Sequence, residues 1–243
     1  MSFERKYNLT VDENIFIAKR NIIDYIWKSA KLEGLSVTFP DTEAIFNGII
    51  APNVRVDEII AVNNLKHSWQ FIFDTIDCPT DFNYICRLNR IVGGDNLVYN
   101  AGFLRNVPVS IGGTLWKPDM PNEFLIKENL ADIFNIENPT DRCITLMLYC
   151  MRSQMFIYGN KSTSMLAANH EMIKNGCGII SVAVEHQPEF TKLLFKFFET
   201  NEMSVIKQFV YDKCIDGIDL EAQRKSVEVQ KKKRKSSDYP DLD

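Results

Sequence analysis

An all-α bundle carrying one small β-hairpin is the fold class that this 243-residue sequence predicts. Helical 3.6-residue periodicity dominates the chain, and the one convincing extended stretch is Val107–Leu115, where Gly112-Gly113 permits a tight reversal. No internal repeat is present, so the helices are expected to close on one another as a compact bundle.

The first element is announced by a capping box, Thr10-x-x-Glu13. Behind it Ile15, Ala18, Ile22, Trp27 and Ala30 fall close to one face, widened by Ile23 and Ile26, and the helix is expected to end near Gly34. Further amphipathic helices are predicted over about 56–75, 82–92, 122–134, 140–155, 161–175, 187–199 and 202–214. Asn138-Pro139 followed by Thr140-Asp141 starts the 140–155 helix, since proline is tolerated in a first turn. The division that follows is an N-terminal helical segment over 1–54, a core over 55–215 and a charged tail, expected to be disordered, over 216–243.

A hydrophobic content of 45% in 243 residues is enough to bury a sizeable core. There is no apolar run of about 18 residues and no signal-peptide pattern, so a cytoplasmic setting without a membrane partner is expected. The cysteines at 78, 86, 143, 150, 177 and 214 form no CxxC pair and no zinc-spaced cluster, which suits reduced thiols. Histidine occurs only at 67, 170 and 186, too few for a histidine-rich metal site. Residues 224–235 hold seven Lys or Arg and one Glu, so this stretch is +6 in a chain of −4 and the body carries −10. Such a block is expected to stay solvated; nucleic acid enters as a partner only through it.

Chemistry concentrates in Gln154–Met165, QMFIYGNKSTSM. Gly159 and Asn160 tolerate positive φ and can turn backbone N–H groups toward an anion where a helix begins, making Gly159, Asn160, Lys161 and Ser162 the candidate phosphate- or nucleotide-binding set. A cation at Lys161 opposes the helix dipole unless an anion lies nearby, either a bound phosphate or Glu33.

The stretch resembles the active loop of the Fic (Fido-fold) family of protein-modifying nucleotidyl transferases, H-P-F-x-[D/E]-G-N-G-R-x-x-R. Phe156, Gly159 and Asn160 match; Gln154 falls at the histidine, Tyr158 at the acid, Lys161 at the third small residue, and Ser162 and Met165 at the two arginines. Leu166, Asn169, Asn175 and Gly176 suit the helix that follows the loop in the family. Upstream, Ser29-Ala30-Lys31-Leu32-Glu33-Gly34 is similar to the inhibitory motif [S/T]-x-x-x-E-[G/N], giving Ser29, Glu33 and Gly34 as its candidate residues. Gly102–Gly113 resembles the segment leading into the target-docking flap, with Val109, Ser110 and Ile111 as the flap residues. The resemblance covers roughly residues 11–200 and implies a Fic-like helical bundle.

In the family the histidine is the general base toward a target hydroxyl, the acid holds Mg2+ on the nucleotide and the arginines neutralise its phosphates, so that AMP passes to Ser, Thr or Tyr. Glutamine at 154 has no usable basicity, Tyr158 is a poor ligand for a hard cation, and Ser162 and Met165 carry no charge. No residue is therefore assigned a catalytic role. Arg105 and Arg152 are candidates to approach a phosphate but are expected to be ordinary structural arginines, and His170 lies about 15 Å along the helix from Asn160. Glu33 lacks its usual arginine partner and is expected to bond Ser162, Ser164 or solvent, with a Lys161 pair as the variant. Two functions remain: a non-catalytic binding or regulatory module, and an adenylyltransferase-like enzyme with altered chemistry. No cofactor is required by the first, though ATP or another nucleotide is a candidate ligand of the cradle. The expected partner is a protein docked at the flap, and a homodimer stays open.

Overall fold

The computed structural model describes residues 3–218. The basic stretch over 224–235, with most of the tail, lies outside them. The order of helices is α1 (Val11–Arg20), α2 (Ile22–Leu32), α3 (Phe39–Phe46), α4 (Val56–Asp74), α5 (Phe82–Val92), α6 (Glu123–Phe134), α7 (Pro139–Ser153), α8 (Asn160–Lys174), α9 (Gln187–Thr200) and α10 (Ser204–Lys213). None of these is long and apolar enough to cross a membrane.

Helix α8 is the axis of the fold. Thirteen of its 15 residues are buried, so it is packed on every side rather than along one stripe. On one flank Leu166, Ala167 and Ile173 join a cluster with Tyr25, Ile26, Trp69, Ile85 and Leu88 from α2, α4 and α5. On the other, Met165, Ala168 and Met172 join Ile144, Met147, Phe190, Phe197 and Val210 from α7, α9 and α10. The methionine placed where an arginine would reach a phosphate is thus a core residue, 3% exposed.

The single helix expected up to Gly34 is two. α1 ends at Asn21, whose backbone sits at φ −107, ψ 12 and whose N–H bonds the Ile17 carbonyl. The break is set by what each half must reach. α1 is tied to the far end of α8 by buried Asn14, which donates to the Gly178 carbonyl at 3.1 Å and accepts from the Gly178 N–H at 2.8 Å. α2 packs chiefly on α3 and α4, and it meets α8 nearer the loop end. α3 was not foreseen, although its signal is present: Thr38 and Asp41 form a reciprocal capping box and Pro40 lies in the first turn.

The 107–115 hairpin is the main correction. Among the described residues the strands are β1 (Ile179–Ile180) and β2 (Ile215–Asp216), paired antiparallel with Ile179 opposite Asp216. The predicted region turns at Gly113 (φ +91) but its arms form no ladder. Its base is closed by a side chain. The buried Arg105 guanidinium donates to the carbonyls of Val107 and Pro118, at 2.8 and 3.4 Å, and to that of Asp119. The turn itself rests on α9: a Cβ at Gly113 would lie 2.5 Å from the Phe195 ring, and Thr114 Oγ1 donates to Glu199 at 2.6 Å.

Candidate functional site

Helix α7 stops because Gln154 takes the left-handed conformation, φ 43 and ψ 52. Its side chain folds back, Nε2 donating to the Met151 carbonyl at 2.7 Å. The side chain at the base position therefore caps its own helix. Its carbonyl accepts from Arg105 Nε at 2.7 Å, and the Arg105 N–H donates to the Met155 carbonyl at 2.9 Å, fastening the flap's stem to the loop.

The loop then wraps around one amide. Asn160 Oδ1 accepts from the Phe156 N–H at 3.0 Å, while Nδ2 donates to the Phe156 carbonyl at 2.7 Å and to Gln154 Oε1 at 3.3 Å. Asn160 is thus the first residue of α8 and the loop's interior brace, rather than a second positive-φ turn residue. Gly159 alone supplies the turn, at φ +71, and a Cβ there would lie 2.5 Å from Val92. Val92 and Asn89, both on α5, hold this corner. Asn89 Nδ2 donates to the Tyr158 carbonyl at 2.8 Å and to Thr163 Oγ1 at 3.1 Å, and its Oδ1 accepts from the Gly102 N–H at 2.9 Å. Sequence reasoning missed Asn89 because a buried asparagine on an amphipathic helix carries no local sign of what it will meet.

The N-terminus of α8 is already occupied by an anion. Glu33, just past α2, accepts from the Ser162 N–H at 2.7 Å, acting as a cap supplied from 129 positions earlier. Lys161 Nζ stands 3.7 Å from the same carboxylate and donates to the Leu32 carbonyl. Of the groups expected near Glu33, Ser162 meets it through its backbone N–H and Lys161 stands beside it. Ser164 turns away, its hydroxyl donating to the Asn160 carbonyl at 2.6 Å. Ser29 is buried and its carbonyl accepts from the Glu33 N–H at 3.1 Å, while Gly34 ends the segment at φ +90. Ser162 is itself 2% exposed, so it presents its N–H and little else.

These residues wall a cleft of about 390 Å3, closed on one side by Ile111 and Gly112 and on another by Leu194 and Phe195 of α9. Val109 and Ile111 are half-buried and Ser110 is exposed. Gln154, Tyr158, Gly159, Asn160 and Lys161 all line the cleft; Ser162 lies one turn inside it. Among its lining residues there is no histidine, and Glu33 is the one carboxylate. His67 is exposed elsewhere, His186 lies edge-on to Phe209 at 6.2 Å, and His170 is buried toward the far end of α8.

Neither candidate arginine serves the cleft. Arg105 is spent on carbonyls, and Arg152 donates to the Phe198 carbonyl at 3.0 Å while stacking on Trp116 at 4.8 Å. Trp116 packs inward against Phe198, with ring centroids 5.2 Å apart. The set does not fit Mg2+. Burial, with Glu33 and Asp57 nearby, pushes the Tyr158 phenol up to about 12, and no acidic cluster suited to a metal occurs among the described residues.

No family model matches the sequence, and no curated protein matches it. Solved structures do. Fic-1 from C. elegans is 19% identical with a TM-score of 0.69, over 81% of this chain and 62% of that one. A Fic-domain-containing signaling protein from Bacteroides thetaiotaomicron is 18% identical with a TM-score of 0.67, over 83% of this chain and 84% of that one. A Fic family protein from Desulfovibrio desulfuricans is 15% identical with a TM-score of 0.66, over 86% and 74% respectively. The chain has the Fic fold, and it spans less than two thirds of the C. elegans structure it matches.

Proposed function

We propose that, on this Fic fold, the protein acts as a non-catalytic binding or regulatory module that docks a protein partner along its 107–115 segment. One observation carries the loss of transfer chemistry: the anion seat at the start of α8 is filled by the chain's own Glu33, with Lys161 committed to that same contact. The general base is missing as well. Gln154 can accept or donate a hydrogen bond but cannot take a hydroxyl proton, and its amide is already engaged with Met151 and Asn160. The two positions that would hold phosphate charge carry a buried serine and a buried methionine.

Docking at the flap rests on its unspent backbone. No backbone hydrogen bond engages Val109, Ser110 or Ile111 among the described residues, and Leu115 beyond them is 97% exposed. Extended backbone with free N–H and C=O groups accepts an added strand. Weak nucleotide or phosphate binding belongs to the same reading only when Glu33 leaves. A cytoplasmic setting agrees with six cysteines that are all free thiols.

Two measurements test the reading. Labelled ATP with Mg2+ or Mn2+ in a lysate should show no label beyond that of the lysate alone, with wild type and with Glu33→Gly; added label that disappears in Asn160→Ala would restore the transferase alternative. A photo-crosslinker at exposed Ser110 should yield protein adducts in cells, and their absence, with adducts from a crosslinker at exposed His67 instead, would remove the flap from the proposal.

A further inference from the structure

At the other end of α8, His170 and Glu171 meet the connection between α4 and α5. The Thr80 hydroxyl lies 2.6 Å from Glu171 Oε1 and 2.6 Å from His170 Nδ1, and His170 Nε2 lies 3.1 Å from the Thr75 carbonyl. Three contacts need three hydrogens. A neutral imidazole supplies one N–H, the threonine supplies one O–H and an ionised carboxylate supplies none, so the chain is one hydrogen short in either tautomer. A single added proton completes it. Placed on the imidazole, it lets both ring nitrogens donate; placed on Glu171, it lets the carboxyl donate to Thr80, Thr80 to Nδ1, and Nε2 to Thr75. Thr80, His170 and Glu171 are all buried, where an unmade contact is costly.

Charged and titratable groups around this chain come from several packed elements, among them buried Cys143 on α7, which lies near Glu171, and Cys78 in the α4–α5 connection, which lies near Tyr84. On α8, Lys174 stands 3.4 Å from Glu171 and donates to the Cys78 carbonyl at 2.9 Å. On α5, Tyr84 stacks on the imidazole at 4.3 Å, and Asp81 at the helix start accepts from the Tyr84 N–H at 2.8 Å. On α6, Lys127 pairs with Glu123 at 2.6 Å. Burial holds His170 down to about 4 in the protein alone, so the missing proton is not taken up near neutrality.

Outside the chain opens a cavity of about 490 Å3. Phe82, Leu130 and Phe134 give it apolar walls, Thr80 and Glu171 lie among its lining residues, and Lys127 and Lys174 border it. Its volume suits a small molecule. The acids here are engaged within the protein: exposed Asp81 caps α5, and buried Glu171 accepts from Thr80 and Asn175. Each ammonium retains a donor, because Lys127 uses one of its three on Glu123 and Lys174 two on Glu171 and Cys78. A proton that balances the Glu171 charge also releases Lys174 toward an incoming anion.

The geometry points to a binding site for an amphipathic monoanion, an acyl or aryl carboxylate, whose entry draws one proton into the Glu171–Thr80–His170 chain. The apolar body lies on Phe82, Leu130 and Phe134, and the head meets Lys174 and Lys127. This site stands at the opposite end of α8 from the cleft and does not depend on whether the cleft has lost its chemistry.

The probe is octane-1-sulfonate, which stays ionised over the whole range, so that any pH dependence belongs to the protein. Calorimetry on the full chain at pH 5 and pH 7.5, in buffers of different ionisation enthalpy, should show tighter binding at pH 5 with net proton uptake. Lys174→Met should weaken binding by about tenfold, the worth of one partly buried charge contact. Ala131→Trp, at an exposed position on the cavity wall, should abolish it. His170→Gln should bind with the pH difference removed. Absence of binding by the wild type at both pH values would overturn the proposal, as would equal affinity at both without proton uptake, or undiminished binding by Ala131→Trp. Ala131 is exposed and Lys174 half-buried, and the two variants decide the matter even where His170→Gln fails to fold.

Discussion

The two ends of α8 spend buried polarity in opposite ways. At Asn160 both ends of the side-chain amide have partners in the loop, and the Ser162 N–H at the start of α8, where a free anion would bind, is capped by Glu33. Around His170 a chain of good distances lacks a hydrogen and stands beside an open cavity. A satisfied network is rigid and refuses ligands; one that is short by a proton responds to its surroundings. The end that looks like an active site by its loop is thus the closed one, and the end with no motif is the responsive one.

The comparison is broken most directly at Asn160. Asn160→Ala removes three contacts to the loop and should cost about 3 kcal/mol in urea denaturation. A loss below about 1 kcal/mol would mean that the closed end is not held by this amide.

Acid sharpens the other end. The folded His170 titrates at about 4 against an ordinary value of 6.5, so between those values the unfolded chain binds the extra proton and stability falls as pH is lowered. The displacement amounts to about 3 kcal/mol. Denaturant midpoints from pH 7 down to 4 should show this slope in wild type and lose most of it in His170→Gln. An unchanged slope in that variant would assign acid sensitivity to other groups.

Thr80→Val comes next. The chain it interrupts is already incomplete, so the expected loss at neutral pH is only about 1 kcal/mol, well under that of Asn160→Ala. Equal losses at the two ends would erase the distinction between them.

Lys161→Ala is the smallest effect. Its ammonium is a third exposed and 3.7 Å from Glu33, a geometry worth about 0.5 kcal/mol in thermal melting. A loss above about 2 kcal/mol would make the lysine, rather than the carboxylate on Ser162, what fastens α2 to α8.

Except for α3, whose capping box Thr38-x-x-Asp41 is local yet was not foreseen, the helices were legible from the chain where the cause was local. Phe82–Val92 was read to the residue, and Asn138-Pro139 and Thr10-x-x-Glu13 marked real starts, because periodicity and capping act within a few positions. The Gly159 turn follows from residue type, whereas for Glu33 the residue types left Ser162, Ser164, solvent and Lys161 all open and the fold selects Ser162 and Lys161. The two main departures from the reading were set by contacts distant in sequence. Asn21 breaks the first helix so that its halves can reach different neighbours, and Arg105 closes the 107–119 loop by binding carbonyls that a strand ladder would otherwise have used.

By itself, then, the sequence determined most of the helical segments, the turn at Gly159, and that Gln154, Tyr158, Ser162 and Met165 carry no ready base, carboxylate or cation, since these follow from backbone preference and from the chemistry of single side chains. Only the tertiary structure decided that Glu33 seats itself on Ser162, that Asn89 and Asn160 brace the loop, and that His170, Thr80 and Glu171 share too few hydrogens. A hydrogen bond depends on positions to within tenths of an ångström, and packing around α8, not neighbourhood along the chain, sets those positions.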